Sequence, residues 1–334
     1  MNDANMQEHP FAQFIRILGR GKKGSRALTM DEAFEAMEMI LDDSVHPEQL
    51  GAFLMLLRVK EESAEEVAGF VRAIRESLQP MPAVKVDLDW SSYAGKRRHL
   101  PWYILSALLL AENDIRVCMH GADGHTAGRL YTTHALHALG ITPCVSMDEV
   151  SKQLNASNFA YIPLRTISAR LFDIINLRPI LGLRSPVHTV ARMINPFGAP
   201  HAIQAIFHPG YQKIHLDAAR LLGDPHLAVF KGEGGEVERN PDADCMASSL
   251  HNDVSDDEMW PALFNNRHLS PRQLQAEQLI DVWRGTMDDE YAVAAITGTT
   301  AIALKLMAKA DTQAQALELA RAFWAQRNRD RFTG

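Results

Sequence analysis

The feature that most constrains this chain is a change of hydrophobic rhythm at Gln79-Pro80-Met81-Pro82. Before it, apolar residues recur three and four apart. Thr29-Met30-Asp31-Glu32 has the capping-box pattern, in which hydroxyl and carboxylate satisfy the free N–H groups of a helix start, and Phe34, Met37 and Leu41 follow at helical spacing. His46-Pro47 predicts a second start, since proline is tolerated in a first turn, with Leu50, Phe53, Leu54 and Leu57 as its apolar stripe. Ser63 to Glu66 forms another capping box ahead of Val67, Phe70, Val71, Ile74 and Leu78. The prolines then read as a hinge or boundary.

Beyond the break, short apolar runs alternate with helical stretches. Residues 84–88 read as a strand, 101–112 as a helix, and 115–119 as a β-rich run ending at His120-Gly121. Residues 127–139 read as a helix stopping at Gly140, 227–231 as a strand ending at Gly232, and 271–327 as two or three helices. Such alternation implies a mostly parallel sheet covered by helices. Ligands in such sheets sit at the carboxyl ends of strands, where His120-Gly121 and Lys231-Gly232 fall. The expected fold is therefore α/β: a small all-helical domain, residues 1–80, beside a larger α/β domain with a mostly parallel central sheet, residues 81–334. A chain of 334 residues also exceeds the size at which one core usually stops growing.

Composition removes several function classes. The longest apolar run, residues 104–111, is about two turns of helix, too short to cross a bilayer, so no membrane partner is expected. The first residues lack a basic region followed by an apolar stretch, and no secretory signal is read there. Cys118, Cys144 and Cys245 are odd in number and not in CxxC spacing, so they read as reduced thiols and the cytoplasm is the expected location. His134 and His137 have a spacing a metal could use, but no acids at matching offsets, so no metal site is assigned. A formal charge of −7 argues against general adhesion to nucleic acid, yet the charge is uneven. Residues 160–220 hold seven Lys/Arg against Asp173 and Asp217, while residues 233–258 hold nine acids against Arg239 alone.

The segments LGRGKKGSRALTMDEAFEAM, PEQLGAFLMLLRVKEESAEEVAGF, SSYAGKRR, HGADGHTAGRLYTTHALHALGITP, LGLRSPVHTVARMINPFG, AIFHPGY and FKGEGGEVE stand in family order and together resemble glycosyltransferase family 3. That family contains anthranilate phosphoribosyltransferase and the pyrimidine nucleoside phosphorylases. The resemblance implies a nucleoside phosphorylase/phosphoribosyltransferase-like fold, in which mid-chain helices around residues 165–195 join the N-terminal helical domain. It implies a cleft holding phosphoribosyl pyrophosphate with magnesium, and a homodimer made through the helical domain. The chemistry needs glycine-rich backbone to approach pyrophosphate, and carboxylates to hold the metal.

Against that pattern the substrate motifs are altered. A GTGGD loop is replaced by Ser92-Tyr93-Ala94-Gly95-Lys96-Arg97-Arg98; of KHGNR, His120 and Gly121 survive; of RTIFNxxGPxxNP, Arg184, Asn195 and Pro196 survive, with His188 for the internal Asn and Ala191-Arg192 for Gly-Pro. The paired magnesium acids fall on Gly235-Glu236-Val237-Glu238, and Arg178 aligns with the arginine that contacts the acceptor acid. Altered motifs on a retained frame resemble the YbiB-type branch of the family, which is associated with binding nucleic acid. The substitutions add cations, and Lys/Arg tracks are what phosphodiester backbones require. The candidate phosphate or nucleic-acid contacts are thus Lys96, Arg97, Arg98, His120, Gly121, Arg178, Arg184 and Arg192, with Trp90, Tyr93, Phe197 and Tyr211 as faces for base stacking. For His120 the competing reading is a strand-end histidine held by hydrogen bonds. Two functions follow. The favoured one is a binder of single-stranded DNA or RNA with no certain cofactor and no catalytic residue. The other is an active pentosyl- or phosphoribosyltransferase using magnesium, its acceptor unknown, anthranilate included.

Overall fold

The computed structural model describes residues 8–332 apart from 22, 79, 271 and 272. The stretch read for a secretion signal ahead of residue 8, Gln79 of the break, and Pro271 lie outside these residues. Four helices come first: α1 (Ala12–Gly19), α2 (Met30–Leu41), α3 (Pro47–Lys60) and α4 (Ala64–Ser77). Both capping boxes form. Thr29 Oγ1 accepts from the Glu32 N–H at 3.2 Å and Glu32 Oε2 from the Thr29 N–H at 2.9 Å; Ser63 and Glu66 repeat the exchange. Glu66 does more. Fully buried, its carboxylate accepts from the N–H groups of Leu28 at 2.9 Å and Ser63 at 2.8 Å and pairs with Lys60 Nζ at 2.7 Å. One acid thereby ties the starts of α2 and α4 to the end of α3.

The sheet contains β1 (Leu88–Ser92), β2 (Val117–Gly121), β3 (Phe159–Pro163), β4 (His201–Ile206), β5 (His226–Lys231), β6 (Cys245–His251) and β7 (Val254–Trp260), in the order β3-β2-β1-β4-β5-β6-β7. The five strands from β3 to β5 are parallel, and β6 and β7 close one edge as an antiparallel hairpin. This is the expected α/β architecture. β1 begins four residues later than its apolar run suggested, because Val84 and Val86 pack against the helical core and strand partners start only at Leu88.

Helices α5 (Tyr103–Glu112), α6 (Thr132–Ala138), α7 (Met147–Ser157), α8 (Leu164–Ile167), α9 (Ala169–Ile175), α10 (Arg178–Leu181), α11 (Val187–Val190), α12 (Tyr211–Leu222), α13 (Gln278–Arg284), α14 (Glu290–Leu306) and α15 (Gln313–Gln326) complete the chain. Strand residues alternate between two cores. Cys118, Ala160 and Ala202 face a core that also holds α1 to α4, α8, α9 and α12. Val117, Met119 and Ile203 face the other, built on α5, α14 and α15. Cys118, Cys144 and Cys245 are all free and buried. Arg75 of α4 locks the layers together: its guanidinium donates to the carbonyls of Met193 and Ile194, both at 2.9 Å, and forks onto Asp224 at 2.7 and 2.9 Å.

From β1 the chain moves to β2 and β3 on one side, then returns to β4 on the other. β1 and β4 therefore flank the point where strand order reverses, and the crevice beyond their carboxyl ends is where a parallel sheet offers a ligand site.

Candidate phosphate-binding cleft

Two segments meet at this crevice. The first leaves β1 as Tyr93-Ala94-Gly95-Lys96. Gly95 has φ +68°, and a Cβ there would lie 2.9 Å from the Tyr131 ring, so the tight turn requires glycine. The turn aims the N–H groups of Ala94 and Gly95 at one point, the arrangement that cradles a phosphate oxygen. That point is already filled. Glu236 Oε1 accepts both hydrogen bonds, at 2.6 and 2.5 Å, with the residue 1% exposed. Burial pushes its carboxyl pKa up, opposed by the two backbone bonds and by Arg192.

Lys96, expected to face phosphate, is instead completely buried. Its ammonium pairs with Glu238 at 2.6 Å and with Glu233. Burial works against the charge, but Glu238 and Glu233 outweigh it and the Lys96 pKa moves up. Two acids share one cation, and burial pushes Glu238, the more enclosed, up to about 7. The implied magnesium does not fit this donor set. The carboxylates that would hold it surround an ammonium, and the remaining acid, Glu236, is turned onto backbone amides. Among the described residues no group of three His, Cys, Asp or Glu side chains is arranged to hold a metal ion.

His120 and Gly121 also lie inside. His120 is bonded through Nδ1 to the Tyr93 hydroxyl at 2.8 Å and through Nε2 to Asp89 at 3.3 Å, bracing β1 against β2 with side chains. At Gly121 a Cβ would stand 2.1 Å from the Ser92 carbonyl, so glycine here serves strand packing. Trp90 and Tyr93 are buried and offer no face for a base.

The opposite wall is different. Arg178, at the start of α10, donates to Thr126 Oγ1 at 2.5 Å and to the His125 carbonyl at 3.4 Å; Arg184 donates to the same Thr126 oxygen at 3.3 Å. Arg192 donates to the His188 carbonyl and lies 6.0 Å over the Tyr93 ring. From the β1-loop side a fourth arginine, Arg129, donates to the carbonyls of Ala94 at 2.9 Å and Gly95 at 3.0 Å and faces this group. All four are half-buried, and none has a carboxylate within ion-pair distance among the described residues. The cost is visible at Arg184 and at the neighbouring His125. Burial, then Arg129, Arg192 and Arg178, brings Arg184 down to about 10. Burial, then Arg184, takes His125 down to about 4.

Three of the eight sequence candidates thus converge, and Arg129 joins them; its signal was a lone arginine after Gly128 in the loop following β2. Arg97 and Arg98 are exposed at the rim. Arg165 stacks on Phe172 and Arg170 pairs with Asp43, away from the cleft. A recess of about 140 Å³ opens off this wall, lined by Tyr211 and by Phe207, which is 55% exposed and which the sequence reading missed. Phe197 lines a separate cavity beside Arg75.

Residues 12–78 match the helical bundle domain of a glycosyl transferase family. An uncharacterised protein of Aquifex aeolicus is 30% identical over 244 residues, 72% of this chain and 74% of its own. The uncharacterised protein YbiB of Escherichia coli is 27% identical, covering 69% of this chain and 73% of its own. Among solved structures, anthranilate phosphoribosyltransferase from Saccharomyces cerevisiae, in complex with PRPP and Mg, superposes with a TM-score of 0.75 at 15% identity, covering 98% of both chains. With the helical layer, the reversed strand order and the altered loops in their places, the chain belongs to glycosyltransferase family 3 as an anthranilate-phosphoribosyltransferase-like protein.

Proposed function

We propose that this protein binds nucleic acid, single-stranded DNA or RNA, through the cleft between the β1 loop and the arginine wall. The observation that carries this reading is the set of Arg129, Arg178, Arg184 and Arg192, gathered with no carboxylate within ion-pair distance among the described residues. Holding four guanidinium groups together is costly unless an anion completes them. A phosphodiester backbone supplies spaced anions, and its condensed counterions are released on binding. The net charge of −7 disfavours general adhesion of nucleic acid over the rest of the surface.

Transfer of a phosphoribosyl group is the weaker reading. It needs amides free for pyrophosphate and acids free for magnesium, and here Glu236 holds the amides while Lys96 holds the acids. The proposal includes a cytoplasmic protein acting as a homodimer through the helical layer. An apolar cavity of about 580 Å³ between α3 and α10, with Ile180 exposed beside it, favours a second copy there.

Fluorescence anisotropy of a labelled single-stranded oligonucleotide tests the function across a salt series, with magnesium phosphoribosyl pyrophosphate as competitor. Submicromolar binding is expected, weakening linearly on a log–log plot with a slope of about −3 for four phosphate contacts. The competitor should act only through its ionic strength. Absence of binding at low salt would overturn the reading and return the transferase to first place.

A further inference from the structure

The recess off the arginine wall carries more than charge. It lies between the end of α3, the α11 segment and the end of β4. The recess, about 140 Å³, is large enough to admit a sugar ring. Two of its lining residues each carry a buried side-chain polar atom without a hydrogen-bond partner. Ser185 and His188 are each 6% exposed, and Ser185 Oγ and His188 Nε2 are unsatisfied. Unmade hydrogen bonds of this kind are costly and mark a place where a partner is wanted.

The chemistry of that partner can be read from His188. Its Nδ1 lies 3.2 Å from the Ser185 carbonyl, which can only accept, so Nδ1 carries the proton and Nε2 is a bare acceptor. Burial, with His125, Arg184 and Arg192 nearby, holds the ring neutral by pushing its pKa well below the ordinary value, so Nε2 stays an acceptor at physiological pH. A phosphate diester has no proton to give. Arg184 and Arg192, on the same lining, attract anions, and Glu62, the acid among the lining residues, accepts from the Tyr211 hydroxyl at 3.2 Å. A ligand that carries both an O–H or N–H donor and an anion answers this lining. Phe207, exposed at the mouth, offers a face for a base.

Resting on the nucleic-acid reading, we propose that this recess takes the ribose of a bound strand. The 2′-hydroxyl donates to His188 Nε2 and meets Ser185 Oγ, and an adjoining phosphate lies on Arg184 and Arg192. The cleft therefore prefers RNA to DNA, the 2′-hydroxyl being the group that distinguishes them.

The test compares labelled 12-mer oligoadenylates of ribose, deoxyribose and 2′-O-methylribose at one salt concentration. The ribose form should bind roughly tenfold more tightly than the other two, the methylated sugar having lost its donor. In His188→Leu, and separately in Ser185→Ala, the ratio of ribose to deoxyribose affinity should fall toward one. Equal binding of the three oligonucleotides by the native protein overturns this inference alone and leaves the nucleic-acid reading standing. So does a preference that survives in a folded His188→Leu. Failure of all three to bind at low salt overturns both. The oligonucleotide comparison needs no variant, so a misfolded mutant cannot protect the idea.

Discussion

The two walls of the cleft treat charge in opposite ways. Beyond β1, Lys96 is enclosed by Glu233 and Glu238, and the amides of Ala94 and Gly95 are capped by Glu236. Arg178, Arg184 and Arg192 across the crevice, with Arg129 against the β1 loop itself, donate to neutral oxygens and form no ion pair among the described residues. The Glu236 carboxylate is nevertheless near enough to favour the charge on Arg192. A buried charge persists when paired, whereas an unpaired one persists when solvent or a ligand can reach it. The first wall has turned a phosphate-and-metal cradle into internal structure, with a carboxylate where an anion would sit and an ammonium where a cation would. The second has been left open. Residues that look alike in the sequence, cations at family positions, therefore belong to internal structure on one side and, under the proposed function, to binding on the other.

The sharpest way to break this comparison is Lys96→Ala. Removing one partner of a buried ion pair leaves uncompensated charge, costing about 3–5 kcal/mol. Thermal denaturation followed by circular dichroism should show a drop in Tm of roughly six degrees. A variant as stable as the native protein but weaker on oligonucleotide would move Lys96 from structure to binding. Next in size is Arg178→Glu with Arg184→Glu. These side chains share Thr126 rather than an acid, so stability should change little. Oligonucleotide affinity should fall about a hundredfold, and the log–log salt slope should become shallower by one to two. Unchanged affinity would empty the arginine wall of function.

The same wall sets a pH dependence. Burial, then Arg192, lowers His215 to about 3, and burial, then Arg184, lowers His125 to about 4. Both are neutral in the fold, while the unfolded chain takes up their protons below about pH 6.5. A histidine with a depressed folded pKa contributes stability that is full above 6.5 and lost as pH falls toward the folded value. Each should cost about 2 kcal/mol by pH 5, measured as Tm between pH 7 and 5. His215→Asn should flatten that dependence; an identical slope would show that His215 does not titrate in this way.

Much of the fold was legible because its signals are local. The boxes at Thr29–Glu32 and Ser63–Glu66 are hydrogen bonds between residues three apart, and both form. The strand at 227–231 is an apolar run that coincides with β5 to within a residue. β3, β4 and the β6–β7 hairpin were not read, since Phe159–Pro163 is brief and β7 is exposed and rich in acids, resembling a solvated loop. The sequence pointed to the segments that form the cleft, and only partly to the contacts their side chains make. Whether Lys96 meets phosphate or Glu238 depends on a contact spanning 142 residues, which no spacing rule encodes. Arg178, Arg184 and Arg192 lie close in sequence, and α10, α11 and the turn after them keep them close in space. Arg129 comes from a different loop, and only the fold brings it to them.

The smallest expected effect decides how far the open wall extends. Arg97 and Arg98 follow Lys96 directly, yet both are exposed, without an ion pair among the described residues. Side chains of that kind contact phosphate through water and salt, so each is worth little. Arg97→Glu with Arg98→Glu, leaving Lys96 in place, should lower oligonucleotide affinity roughly fivefold at low salt without moving Tm. The loss should fade as salt rises, since exposed charges are screened beyond about 8 Å at physiological ionic strength. Reversing Lys96 together with Arg97 would mix this effect with unfolding, which is why the pair must be 97 and 98. Unchanged affinity would end the binding surface at the arginine wall. A loss as large as that of Arg178 and Arg184 would make the rim part of the track.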